Sequence, residues 1–336
     1  MYDRPATGRK LPMLTRRSLV AAGLLAPFAA QAQTPAPSSS SLLRIINPFA
    51  AGGTSDAMAR MLQPSLQQRQ GMTVIVENRP GASASIGAAL VAKSPPDGTT
   101  WLLTSDTFVV STLLLNNLPY DVQKDFAPVT MIARGPMVLC AHPSRPYKTL
   151  PELIEAAKAK PGAITYGTTG IGSNGHLTMA ALGQLTGTKL VHVPYRGAAP
   201  VLNDGTAGHV DMVISSSATM APQIESGQLH PVVQFGDKRA SFLPDTATAI
   251  ELGIKSLHAY SWFGLFGPAA TPKPVIDKFY RDVAAAVREE ANYNAFVNKF
   301  RSEVPLPTPD ELRAMIVEEL PFWAKIIHDN NIKGGA

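Results

Sequence analysis

The chain has a single cysteine, Cys140, among its 336 residues. No intramolecular disulfide can form, and no cysteine follows the N-terminal apolar run to accept a lipid. Cys140 sits in the apolar stretch Pro136–Ala141, where it reads as a small buried hydrophobe. Charged residues are scarce as well, at 16% of the chain, and no basic cluster is interleaved with aromatic residues. That removes the main support for nucleic-acid binding. The seven histidines include no i, i+4 pair and no carboxylate at ligand spacing, which argues against a metal site. There is no G-x-S-x-G elbow and no phosphate-binding Walker sequence. Ser173 and His176 make an imaginable dyad, but no acid stands nearby to orient it, so no catalytic residue is assigned. Long hydrophobic runs are missing too. The N-terminal run, Leu19–Ala30, falls short of the ~20 residues that span a bilayer.

What is present begins with an address label. Arg4, Arg9, Lys10, Arg16 and Arg17 precede that apolar run, and Ala30-Gln31-Ala32 offers a small-x-small cleavage site. This is the pattern of an export signal over 1–32, either general secretory or twin-arginine-like through Arg16-Arg17. Met13 offers an alternative start. The formal charge of the whole chain is +5; the first 32 residues hold five basic groups and one acid, which leaves +1 for the rest. The expected mature protein is nearly neutral, periplasmic and not membrane-embedded.

Residues 33–41 read as a Pro/Ser linker. A short apolar run at Leu42–Ile46, an alternating stretch at Thr73–Glu77 and the strand Trp101–Leu103 are separated by helical segments from Met58 and over Ile86–Ala92. Phe126–Ala141 contains a long strand. Thr149 and Glu152 open a capped helix, and a second strand–helix alternation runs through Ile164–Thr168, Leu177–Thr186, Leu190–Val193, Ala198–Thr206 and Val210–Ile214. The C-terminal part is helical. In its last helix, Asp310–His328, Leu312, Ile316, Leu320, Trp323 and Ile327 are expected to be buried, with Glu311, Arg313, Glu318 and Glu319 facing solvent. Strand–helix alternation of this kind means parallel sheet covered by helices, an α/β fold. Two such units are expected, 42–141 plus 265–336 forming one lobe and 142–264 the other. The chain would cross between them near Ala141–Ser144 and Trp262–Pro268, with a ligand cleft between the lobes.

Two glycine-containing loops open helices at equivalent places in the two units. Phe49 to Asp56 includes Gly52, Gly53, Thr54 and Ser55; Thr168 to His176 includes Thr169, Gly172 and Ser173. Gly170–Gly175 also satisfies G-x-G-x-x-G. The dinucleotide reading wants an acid at the end of the next strand, however, and none occurs before Asp204. The remaining chemistry is general. Free N–H groups at a helix start attract an anion, and a carboxylate satisfies them as well as a phosphate. His176, at the start of the second helix, is positioned either as a ligand contact or as a structural histidine.

Several segments, in order, resemble one family: Asn47–Asp56, Val76–Gly81, Pro96–Gly98, Leu118–Asp121 with Asp125–Val129, Gly170–Leu177, Val191–Gly197 and Ser261–Leu265. Over residues 42–333 the chain resembles the Bug (Bordetella uptake gene) receptors of tripartite tricarboxylate transporters. The resemblance implies a type II periplasmic-binding-protein fold, in which two α/β lobes are joined by two crossover segments. It also implies a small organic acid as ligand, large and small integral membrane transporter subunits as partners, a monomer, and no cofactor. One carboxylate would be held by the two loops. The site implied adds Ser105, Asp106, Tyr195, Gly197 and Ser215 to the loop residues. Ser215 stands where relatives often carry Asp, which weakens the case for an amino acid; Asp106 stands where small residues are common and would favour a hydroxyl or ammonium. A sensor handing its ligand-bound form to a membrane kinase is the alternative.

Overall fold

The computed structural model describes residues 42–81, 84–115 and 118–333. The expected signal and linker lie outside the described residues. Leu43 and Ile45 of β1 (Leu42–Asn47) turn to one side of the sheet and Ile46 to the other, and all are buried. Burial on both faces is why this strand reads as an apolar run rather than an alternation. β1 pairs in parallel with β2 (Thr73–Asn78) and β3 (Thr100–Ser105). Three helices follow these strands: α1 (Thr54–Gln70), α2 (Ser85–Ala92) and α3 (Asp106–Leu114). α1 stops at Gly71, whose left-handed φ of 64° lets its N–H return to the Gln67 carbonyl.

β4 (Phe126–Ala141) leads to α4 (Leu150–Ala159), β5 (Thr165–Thr168), α5 (Asn174–Thr186), β6 (Val191–Pro194) and α6 (Ala198–Thr206). After these come β7 (Met212–Ser216), α7 (Ser217–Glu225), β8 (His230–Gln234) and β9 (Tyr260–Pro268). The C-terminal part contains α8 (Lys273–Arg288), α9 (Glu290–Asn294), a π-helical turn over Ala295–Lys299, and α10 (Pro309–Asp329). Among the described residues the strands run in the order β2-β1-β3-β9-β4-β7-β5-β6, with β8 also on β4.

β4 and β9 hold the two halves together. From Phe126 to Pro136, β4 is antiparallel to β9; from Met137 to Ala141 its partners are β7 and β8. The change of partners falls at Pro136–Met137, about a turn of chain before the crossing expected at Ala141–Ser144. β3 and β7 run toward each other and end four residues apart along β4: Ser105 lies opposite Phe263, which pairs with Ala133, and Ser216 lies opposite Met137. The carboxyl ends of the parallel strands in both halves therefore converge on this junction.

α10 departs from expectation. The helical C-terminal part was expected to pack back on the first half. Leu312, Ile316 and Leu320 do join a core there with Ile46, Val91, Leu102 and Trp262. Trp323, Ile326 and Ile327 instead enter the core of the second half, with Leu177, Leu182 and Met212. Gln184 of α5 donates to Asp329 at 3.0 Å and accepts from Asn330 at 3.2 Å, fixing the end of the helix to that half. Pro321 lies between the two sets of anchors.

Candidate functional site

The loop after β1 is built from its own side chains. Asn47 accepts from Ser55 Oγ at 2.9 Å, and Asn78, at the end of β2, donates to the Phe49 carbonyl at 3.2 Å. Asp56 accepts from the Gly52 N–H at 2.9 Å and pairs with Arg60 at 3.0 Å. Arg60 holds its carboxyl below the usual range, with the Gly52 N–H helping and burial opposing. Ser55 and Asp56 are thus buried and spent on shaping the loop, while Gly52 and Gly53 are exposed and Phe49 and Thr54 half-buried. The helix itself is left open. Its N-cap is Gly53, with no side chain to cap it, and the N–H groups of Thr54, Ser55 and Asp56 have no partner among the described residues. The start of this 17-residue helix therefore presents free donors at the positive end of its dipole, a setting that favours negative charge.

The second loop is more tightly furnished. Ser173 caps α5, accepting from the His176 N–H at 3.4 Å, and its own hydroxyl donates to the Gly170 carbonyl at 2.8 Å. Gly172 donates its N–H to His176 Nδ1 at 3.1 Å. His176 Nδ1 is therefore unprotonated and Nε2 carries the hydrogen, available as a neutral donor. His176 stacks on His192 at 3.8 Å between ring centres, and His192 on Tyr166 at 5.1 Å. Burial pushes both imidazoles down to about 4, His176 adding to the effect on His192, so both are neutral at ordinary pH. Thr168 Oγ1 meets His192 Nε2 at 2.7 Å and donates to the Gly170 carbonyl at 3.0 Å. The N–H groups of Ile171, Asn174 and Gly175 have no partner among the described residues.

The third loop is stitched to the second, Tyr195 and Gly197 donating to the Thr168 and Thr169 carbonyls at 3.0 and 3.2 Å. Tyr195 turns its hydroxyl onto Asp204 at 2.6 Å. Gly197 caps α6 at a φ of 103°, open to glycine, and contributes no side chain. Ser215 lies buried on β7 opposite Val138. Ser105 caps α3, accepting from the Thr107 N–H at 3.4 Å.

Asp106 is placed differently from a free ligand contact. Its Oδ2 accepts from Asn174 Nδ2 at 3.0 Å, and its Oδ1 from Ser261 Oγ at 3.1 Å and the Trp262 N–H at 3.4 Å. It is 7% exposed, and burial raises its carboxyl above the usual range against these bonds. It also lines a cavity of about 340 Å³ with Asn174, Arg134, Tyr260, Trp262 and, from α10, Glu319 and Trp323. Of the sequence-predicted site residues, only Asp106 reaches this cavity. Glu319, expected in solvent, lies on its wall. Asn174, Ser261 and Glu319 carried no signal of their own, because each function depends on a neighbour distant in sequence.

The tripartite tricarboxylate transporter family receptor model, TctC, matches residues 58–332. The chain is 32% identical over 317 residues to the protein BugT of Bordetella pertussis, covering 94% of this chain and 95% of that one. It is similar to the structure of the periplasmic binding protein BugD, with a TM-score of 0.73 and 31% identity over 88% of this chain and 99% of that one. A similar structure is that of R. palustris Rpa4515 with adipate, with a TM-score of 0.76 and 29% identity over 88% of this chain and 98% of that one. A family model covering most of the chain and a relative aligned over nearly all of it place it: the chain belongs to the tripartite tricarboxylate transporter receptor family, and its role is binding rather than catalysis.

Proposed function

We propose that the chain is an extracytoplasmic solute receptor. It binds a small organic carboxylate between two lobes and delivers it to a tripartite tricarboxylate-type transporter in the membrane. The observation that carries the reading is the start of α1, uncapped at Gly53 with three N–H groups that have no partner among the described residues. The matching amides of Asn174 and Gly175 at the start of α5 support it. Two related structures, 29% and 27% identical to this chain, hold adipate and malate. The proposed site holds its carboxylate without an arginine clamp, through backbone N–H groups and His176 Nε2–H, directly or through water. Phe49, Gly52, Gly53 and Thr54 form one wall, and Thr169, Gly172 and Ser173 the other. Ser55, Asp56, Thr168, Tyr195 and Gly197 hold those walls in shape. The lobes divide where β4 changes partners, and export to the periplasm by the N-terminal signal completes the reading.

The test is a thermal-shift screen of the mature protein against mono- and dicarboxylic acids. A ligand at 100 times its Kd adds about 2.7 kcal/mol of stability. Stabilisation by cations or sugars, with none by any carboxylate, overturns the proposal.

A further inference from the structure

Two lobes that close on a ligand need something to set how far they open, and one buried carboxylate touches every part that must move. Asp106 is the first residue of α3, at the carboxyl end of β3. Asn174 is the first residue of α5, in the other half of the molecule. Its Nδ2 has two hydrogens and both are used, one on Asp106 Oδ2 at 3.0 Å and one on the Tyr260 carbonyl at 2.9 Å. Thr178 Oγ1 lies 3.2 Å from Oδ1 but gives its shorter bond, 2.7 Å, to the Asn174 carbonyl, so it is the two Nδ2 bonds that fix the amide's orientation. The other oxygen of Asp106 takes Ser261 and Trp262, on the strand that crosses between the halves. The far end of α3 also touches the loop that leads into α5, where Leu114 lies against Gly172 so closely that a Cβ on the glycine would collide with it.

We propose that Asp106 is a positioning residue, a latch that holds the anion-binding start of α5 against the first lobe and the crossover strand β9. The proposal rests on reading the α5 start as part of the ligand site. The Asn174 N–H, unpartnered at that start, belongs to the residue whose side chain Asp106 grips. Fixing the side chain fixes the direction of the donor. α10, anchored in both cores, lies over the same junction and limits how far the halves part once the latch is released. A carboxylate in the first turn of α3 also suits that helix dipole, so the latch is stabilised at its own base.

The experiment measures opening without a ligand. Spin labels at Gln68→Cys on α1 and Lys160→Cys after α4, both exposed, report the separation of the halves, and buried Cys140 stays unlabelled. Asp106→Ala and Asn174→Ala should each move the distance distribution to longer values and broaden it, with the open population rising about tenfold or more for loss of a charged hydrogen bond. The double variant should fall short of the sum of the two single ones, because both remove the Asp106–Asn174 bond while each also removes bonds of its own. Asn174 is half-buried at a helix start, so its variant keeps the test alive if Asp106→Ala folds poorly. Unchanged distributions in folded variants overturn the latch, even if the protein binds adipate or malate. A latch that opens in a protein no carboxylate stabilises overturns only the ligand reading. Where adipate or malate binds, dissociation should be faster in both variants.

Discussion

Replacing Glu319 by Gln should remove a loss of stability that the wild-type protein suffers as pH rises. Burial against the cavity wall pushes this carboxyl up to about 7, with Asp106 adding to the rise and Arg134 opposing it. Glu318, on its own helix, and Asp237 also push it upward. The remaining groups around the cavity are His258 and the Tyr260 hydroxyl. Moving a carboxyl from 4.5 to about 7 corresponds to at most about 3 kcal/mol. The sign follows from proton counting. Between those two values the folded protein keeps a proton that the unfolded chain has lost, so stability falls as pH rises. It is fully present below about pH 4.5, declines by up to ~1.4 kcal/mol per pH unit, and levels off above the folded value.

Glutamine has the same shape and no charge to bury, so Glu319→Gln should match the wild type in acid and exceed it by roughly 2–3 kcal/mol near pH 8.5. For a chain of this length that is roughly 3–5 °C in Tm. The assay is urea unfolding of both proteins from pH 5 to 8.5, read by tryptophan fluorescence, since Trp262 and Trp323 line this cavity. Taking the difference between the two proteins cancels the titrating groups that are not coupled to Glu319, leaving its own titration and that of its coupled neighbours Asp106, Arg134, Glu318 and Asp237. A difference that stays constant across the range would refute the reasoning, because it would mean that Glu319 ionises in the folded protein as it does in the unfolded chain.

His176 and His192 act in the opposite direction: each is lowered to about 4, so their contribution is complete above about pH 6.5 and is lost as pH falls toward 4. His192→Gln should flatten the acid limb of the same unfolding curves. Carboxylate affinity should be level from pH 6 to 8, because His176 binds as a neutral donor; calorimetry showing tighter binding on acidification through pH 6.5 would contradict this. Gly172→Ala adds a methyl group at a φ of 73° and against Leu114, and should cost about 1–3 kcal/mol while weakening ligand binding, with Leu114→Ala recovering part of the loss. Trp323→Ala removes the anchor of α10 in the second core and should lower stability by about 3–5 kcal/mol in urea unfolding.

β1 and β3 were legible because each is buried on both faces, so Leu43–Ile46 and Trp101–Leu103 announce themselves as apolar runs, while the half-buried β2 shows itself by alternation. α3 and α7 were not. Asp106–Leu114 reads Asp-Thr-Phe-Val-Val-Ser-Thr-Leu-Leu, which is rich in β-branched residues and follows a strand directly, so nothing local separates it from a continued strand. Its helical form is decided by Phe108 and Val109 packing among Val91, Phe126 and Phe266, which lie elsewhere in the sequence. α10 shows the same limit at larger scale. Its periodicity gave the buried positions Leu312, Ile316, Leu320, Trp323 and Ile327, all of which are buried, but one apolar stripe cannot say that its two ends enter different cores.

The site divides along the same line. Backbone donors at a helix start are written locally: a glycine-containing loop after a strand and before a periodic segment is enough to find Gly53 and the start of α5. What a side chain does there is written by whatever else reaches it. Asp106 and Asp56 are both acids in the first turn of a helix at the end of a strand, and from the sequence they look alike. Asp56 meets Arg60 one turn later, so its charge is paired within its own helix and it shapes a loop. Asp106 has no base at that spacing; its partners are neutral donors from α5 and β9, residues 68 and 155 positions away for Asn174 and Ser261. A charge buried against neutral donors is stable only while those donors are all in place. Moving either α5 or β9 therefore strips hydrogen bonds from a carboxyl group that has little water to replace them, and that is the physical basis of the proposed latch.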